Sequence, residues 1–296
     1  MGGECVGQVE KRLVPVLGAG FESKPTKNGE TCRPFVESPE NVLRLAEDYD
    51  TCNERRSVAM DMAVECLIKV GELKRRHGEL YNISESWGSQ TLAVVDRNAA
   101  PIFGVTSVGV HLNCYVKGGD QRPVGVWMAQ RAELKPNGSP TAWPLRWDPT
   151  VAGGVPTGLE LQEAVVKEAS EEAGIEDPLL LGQMRSAGVL SQMTADPSGQ
   201  KLKQSLYFCW DLEVGGDFRP NAADGEVAQF ALWTISELED EVRRGERLRP
   251  AMVLVLCDFL IRNGLITPDS EPAYPEIISA MHRDRLKLTA DVKSNA

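Results

Sequence analysis

Apolar positions along the chain switch between two periods, and the switches mark out the elements. Over residues 56–75, Val58, Met62, Cys66 and Val70 recur at helical spacing with Leu67 and Leu73 beside them, which predicts an amphipathic helix. Residues 41–49 carry a shorter stretch of the same kind, and 92–96 reads as a strand. From 107 to 116 the pattern alternates. Val108, Val110, Leu112, Cys114 and Val116 fall on one side and Gly109, His111, Asn113 and Tyr115 on the other, which predicts a half-buried strand with one polar face. Residues 124–130 continue in that style and are expected as its hairpin partner across the Gly118-Gly119-Asp120 turn. A loop rich in Pro, Trp and Gly fills 135–149, and a helix is expected at 160–173. Strands follow at 204–212 and 226–233, then helices at 236–244, 250–263 and 272–287. Residues 1–40 have no sustained period and read as a loose N-terminal extension. The pattern is that of an α+β chain without internal repeats.

Composition narrows the functional classes. A chain of 296 residues allows one large domain or two small ones. With 32 Lys and Arg against 43 Asp and Glu, the net charge is −11. That argues against nucleic-acid binding by phosphate neutralisation and against docking on anionic membranes. It leaves phosphorylated small molecules open, because a divalent cation can bridge carboxylates and phosphates. The best apolar run, 251–261, is interrupted by Asp258 and is too short to span a bilayer. The N-terminus has neither a signal-peptide nor a transit-peptide pattern, and Val6 stands where a myristoylation signal needs Ser or Thr. The 7 cysteines show no CxxC spacing, so neither a disulfide framework nor a thiolate zinc site is indicated. A cytoplasmic location is expected, with an organelle left open. His77 and His282 have no evident partner, and no Ser/His/Asp order or Walker-type GxxxxGK[ST] occurs.

The chemistry concentrates in 153–175. Gly153, Gly154 and Gly158, with Pro156 among them, describe a tight loop feeding a helix whose buried stripe is Leu161, Ala164, Val165 and Ala169. Glu168, Glu171 and Glu172 stand at i, i+3 and i+4, so three carboxylates share one face and repel one another. A hard divalent cation, which takes oxygen ligands and retains water, would relieve that repulsion. Lys167 stands at its edge, and Gly174 ends the helix as a C-cap.

This segment resembles the Nudix box, in which a glycine-led loop and a first Glu precede Arg-Glu-apolar-x-Glu-Glu-x-Gly-apolar. Glu168, Glu171, Glu172, Gly174 and Ile175 match, and Gly153 is the opening glycine. Leu159 replaces the first Glu and Lys167 replaces the Arg, which keeps the charge but loses the planar fork. With the stretches 103–116, 151–154, 224–227 and 258–268, the chain is similar to one Nudix subgroup over roughly residues 50–285. That subgroup carries a short N-terminal domain of unassigned function and is described as thiamine pyrophosphokinase-like, although its chemistry is diphosphate hydrolysis. Cys114 stands where the subgroup more often has Gly.

The resemblance implies a Nudix α/β/α sandwich with a mixed sheet over residues 107–287, preceded by a small α/β domain over 41–106 and followed by a tail over 288–296. It implies Mg²⁺ or Mn²⁺ as cofactor, held by Glu168 and Glu172, with Glu171 or Glu226 taking the proton from water. Glu226 lies in the Asp224-Gly-Glu-Val stretch. Arg131, His111, Asn113 and Trp143 are candidates for substrate contact, each also readable as packing or surface, as is Trp147. The implied substrate is thiamine diphosphate or an oxidised form of it. Another nucleoside diphosphate derivative, such as ADP-ribose, NADH or coenzyme A, and a non-catalytic diphosphate-binding module favoured by Leu159, remain alternatives.

Overall fold

The computed structural model describes residues 9, 11–18, 34–37, 43–195, 202–222 and 224–282. Two groups of elements build separate hydrophobic cores.

The first comprises a short helix α1 (Val14–Gly18), the paired strands β1 (Phe35–Glu37) and β2 (Leu43–Leu45), helix α2 (Asn53–Lys69), and the hairpin of β3 (Leu80–Ile83) with β4 (Ala93–Asp96). Residues 43–45 are therefore strand and not helix: Leu43-Arg44-Leu45 alternates, and pairing with β1 satisfies its backbone. The buried face of α2 is Ala59, Met60, Ala63, Val64 and Leu67, while Val58 and Val70 of the expected stripe are half exposed. With this face α2 packs on the β3–β4 hairpin, in one core with Tyr81, Ile83, Ala93 and Val95. The loose extension expected over 1–40 does not hold for its described parts. Leu13, Leu17 and Phe35 are buried in this core, because α2 and its strands alone leave apolar surface uncovered.

The second group is a layered structure around a 7-stranded sheet. Its strands are β5 (Ser107–Lys117), β6 (Pro123–Arg131), β7 (Trp147–Pro149), β8 (Val151–Gly154), β9 (Arg185–Ala195), β10 (Leu202–Glu213) and β11 (Val227–Thr234). The order is β11-β6-β5-β10-β9, with β7 paired to β6 and β8 to β5. The sheet is mixed, since β10 runs parallel to β5 and the other pairs are antiparallel. Helix α3 (Leu161–Ala173) covers one face, where Val110, Leu112 and Cys114 meet Ala164, Val165, Ala169 and Ala173. A short helix α4 (Pro178–Leu181) follows α3. On the other face lie α5 (Ile235–Arg244), α6 (Pro250–Arg262) and α7 (Tyr274–Met281), with Tyr115 packed on Phe259. The final expected helix, 272–287, is observed over Tyr274–Met281, and its part beyond 282 lies outside the described residues.

β5 is covered on both faces, so its expected polar side is interior: His111 and Asn113 are 2% and 0% exposed. Alternation registers which residues share a face, but not whether a helix covers that face. Among the described residues, no helix is long and apolar enough to cross a membrane.

Candidate functional site

Helix α3 starts at a capping box in which Glu160 and Glu163 satisfy each other's backbone N–H groups, and it ends at Gly174 in the left-handed conformation (φ +63°). Its apolar stripe fixes the rotation of the helix and sends Glu168 and Glu172 to β8. The Glu172 carboxylate accepts a hydrogen bond from Ala152 N at 2.9 Å and is 8% exposed. Glu168 lies against the next residue, Gly153, where an added Cβ would fall 2.2 Å from its Cδ. Only glycine admits the carboxyl there. Glu171 is half exposed and turned outward into an ion pair with Lys167 one turn earlier.

The electrostatics follow from the burial. Desolvation pushes the Glu172 carboxyl up to about 8, and the charges of Glu168, Asp148 and Asp224 add to the rise. Glu168 is pushed up to about 7 by burial, with Glu171 and Glu79 raising it further and Lys167 and Arg97 opposing. Asp224 is raised by partial burial and by the charges of Glu226 and Glu171. Glu226 itself is paired with Lys135 Nζ at 2.9 Å. Among the described residues, no three Asp, Glu, His or Cys side chains converge on one point, so the patch is not closed into a ligand cage in this conformation.

Basic side chains also approach β8 and its flanks. Arg249 precedes α6, and its segment is held by Trp147 N to Arg247 O and Arg249 N to Trp147 O, both 3.0 Å. Its Nε donates to Asp148 at 2.6 Å. Lys203 on β10 lies within electrostatic reach of both Arg249 and Arg97. Arg97, which follows β4, donates through Nη1 to Glu79 at 2.6 Å. Both Arg97 and the Tyr81 hydroxyl press on Gly154, where a Cβ would meet the hydroxyl at 2.2 Å and the guanidinium at 3.2 Å. His111 sits edge-on to Tyr207 (centroids 5.1 Å), and neither ring nitrogen has a partner among the described residues. Burial, with the Arg249 charge adding, pushes His111 down to about 3, so the ring is neutral.

The structure thus brings Glu168, Glu172, Gly153 and Gly154 together, with Glu171 and Asp224 at the rim. Other expected site residues go elsewhere. Asn113 donates to Asp211 at 2.9 Å, inside a network closed by Arg262 and Asp258 beside α6. Arg131 is spent on Asp148 (2.9 Å) and the Ala142 carbonyl (2.8 Å), so it braces the loop before β7. Trp143 is half exposed on that loop with φ +59°, and Trp147 is buried against Trp233. Gly158, at φ +90°, turns the loop into α3, a conformation that disfavours any side chain. Sequence reasoning missed Tyr81, Arg97, Asp148, Lys203 and Arg249. They arrive from separate strands and a helix start, and no local spacing links them. Asp224 had a signal, since it opens the same short stretch as Glu226.

Residues 109–252 match the family model described as NUDIX domain, and residues 2–107 match one described as a domain of unknown function, DUF4743. An uncharacterised protein of Saccharomyces cerevisiae is 33% identical over 258 residues, covering 83% of this chain and 72% of that protein. Nudix hydrolase 20, chloroplastic, of Arabidopsis thaliana is 32% identical over 273 residues, covering 90% of this chain and 68% of that one. A crystal structure from Deinococcus radiodurans superposes with a TM-score of 0.45 at 17% identity, covering 60% of this chain and 97% of that one. The box residues on α3, the family match over the sheet and the identity to the plant enzyme together establish that the chain belongs to the Nudix hydrolases, enzymes acting on diphosphate-containing small molecules.

Proposed function

We propose that the chain is a divalent-metal-dependent diphosphatase that converts thiamine diphosphate, or an oxidised form of it, to the monophosphate and phosphate. The observation that carries the diphosphatase reading is the pair Glu168 and Glu172. These are two buried carboxyls on one helix edge, each held well above the ordinary carboxylate range. Such a pair is costly as two bare charges and stable beside a hard dication, so its oxygen donors fit Mg²⁺ or Mn²⁺. Nudix hydrolases in general use such ions. The thiamine part rests on the likeness of the stretches around the box to one subgroup.

In this reading Glu168 and Glu172 hold the ion, and Ala152 N–H and Gly153 fix where their oxygens lie. The ion, when bound, supplies positive charge to the diphosphate oxygens and acidifies water. Glu171 or Glu226 takes the proton as the new P–O bond forms and the bridging P–O bond breaks, and the leaving phosphoryl oxygen carries away the electron pair. Glu171 first has to leave Lys167, and Glu226 has to leave Lys135. Leu159, in place of the usual Glu, packs against the α3 core and offers no oxygen to this scheme.

The test is phosphate release by the purified chain with Mg²⁺ over thiamine diphosphate, its oxidised analogues, ADP-ribose, NADH and coenzyme A, with products identified. Turnover of the thiamine compounds above the others is expected. Preference for a nucleotide overturns the substrate assignment, and metal-dependent binding with release at the blank rate overturns the hydrolase assignment.

Gly153→Ala supplies an independent check on the geometry. Its methyl group displaces the Glu168 carboxyl, so turnover is expected to fall by about a hundredfold or more. The stability cost of the forced contact is roughly 1–3 kcal/mol. Phosphate release and urea denaturation measure the two effects, and a Gly153→Ala protein of unchanged turnover would contradict the placement of Glu168.

A further inference from the structure

Arg97 lies against Gly154 of β8, beside the Gly153 that faces Glu168, and Arg249 is held by Asp148 before β8, in a chain whose net charge is −11; neither arginine belongs to the box. Like charges gather at a cost unless an anion is meant to join them. Arg97 and Arg249 each have one carboxylate partner, Glu79 and Asp148, and the Arg97 side chain remains about one-third exposed. Neutral, buried His111 beside Arg249 keeps both ring nitrogens without protein partners.

Arg97 is the unusual member, because it comes from the N-terminal group of elements. Asp96 accepts hydrogen bonds from the backbone N–H groups of His77, Gly78 and Asn98 and so fixes the turn that carries it. Its guanidinium lies 5.6 Å from the Tyr81 ring centroid and is held at one edge by Glu79. The N-terminal hairpin is in turn tied to the loop before α3. Thr157 N donates to Leu80 O at 2.8 Å, and the Thr157 hydroxyl donates to Asn82 at 2.9 Å. Gly153 faces Glu168 and Gly154 faces Arg97, so two neighbouring backbone positions present the carboxylate and the cation to the same end of β8.

We propose that Arg97 is a substrate-binding residue, inserted by the N-terminal domain into the hydrolase site, where beside the Glu168 edge of β8 it holds the diphosphate of the substrate. The inference rests on the diphosphatase reading and adds the role of the N-terminal domain. That domain completes the phosphate site, and Gly154 is glycine because the guanidinium and the Tyr81 hydroxyl need its space.

The test uses the full chain with Mg²⁺ and imidodiphosphate, a diphosphate analogue resistant to hydrolysis, in titration calorimetry. Arg97→Ala is expected to weaken binding about tenfold or more, consistent with loss of a charge-assisted hydrogen bond. Arg97→Lys should recover part of the loss, and KM for a hydrolysed diphosphate should rise with little change in kcat. Glu79→Gln separates binding from bracing: it removes the ion pair and leaves the cation, so affinity should stay or improve. A Glu79→Gln loss equal to that of Arg97→Ala, an Arg97→Ala affinity within twofold of the unaltered chain, or no binding by the unaltered chain overturns the proposal. The two readings fail separately. Imidodiphosphate bound through Arg97 without hydrolysis of any diphosphate refutes only the hydrolase. Hydrolysis abolished by Glu172→Gln but indifferent to Arg97 refutes only this inference.

Discussion

Glu172→Gln is expected to lower turnover with saturating Mg²⁺ by about a thousandfold or more, equivalent to roughly 4 kcal/mol of transition-state stabilisation. The substitution isolates charge from shape. Glutamine has the same length, and its carboxamide oxygen can still accept the hydrogen bond from Ala152 N. The buried pocket stays filled, so loss of activity cannot be charged to a cavity. The variant is also expected to be more stable than the unaltered chain when metal is removed at pH 8, because the cost of burying an ionised carboxyl disappears. Lower activity with higher metal-free stability is the signature of a side chain kept for a cation. Phosphate release and thermal melts in EDTA read both sides. If Glu172→Gln turns over at the parental rate, Glu172 does not hold the ion.

The β5–β6 hairpin and the position of α3 were legible because alternation and helical spacing are local signals. The acidic trio and Gly153 were legible because one helix carries them and one loop precedes them. What stayed hidden arises from contacts between distant segments. Of the stripe Val58, Met62, Cys66 and Val70 on α2, Met62 and Cys66 do pack on the core, but Val58 and Val70 stay half exposed while small Ala59 and Ala63, which carry little hydrophobic weight in a sequence pattern, are buried. His111 and Asn113 read as a solvent or pocket face, but His111 is buried against Tyr207 and Asn113 is buried in the Asp211–Arg262–Asp258 network beside α6. Arg131 and Arg249 share Asp148, an acid that no local pattern singles out. Arg97 was the least legible, since its importance appears only when residues near 80 and 97 meet the loop near 154. A functional cation supplied across a boundary between two family matches leaves no spacing to read.

Removing metal should make stability fall as pH rises from 6.5 to 8, and restoring Mg²⁺ should reverse the fall. The sign follows from proton counts. In the unfolded chain both glutamates ionise near 4.5, whereas in the folded chain Glu168 holds its proton to about 7 and Glu172 to about 8. Across that window the native state binds more protons than the unfolded one, so each rise in pH favours unfolding. The carboxyls held below their usual range, among them Glu79 and Glu241, act in the other direction but only below pH 4.5. His77 and His111, both pushed down mainly by burial, oppose the trend mainly below about pH 7, where the unfolded imidazoles are still protonated. Between 6.5 and 8 the two acidic side chains of α3 therefore dominate, for a loss of roughly 2–3 kcal/mol at 1.36 kcal/mol per pH unit. In a chain of this size that is about 3–5 °C in Tm. A bound dication displaces the protons and stabilises the charged pair, so its benefit should be large at pH 8 and smaller at 6.5. Melts in EDTA and in Mg²⁺ at the two pH values give the four numbers needed, and Glu172→Gln should remove most of the EDTA slope. A metal-free Tm that is level or rising over this window would mean that the carboxyls of Glu168 and Glu172 meet water freely, and the cation site would lose its physical basis.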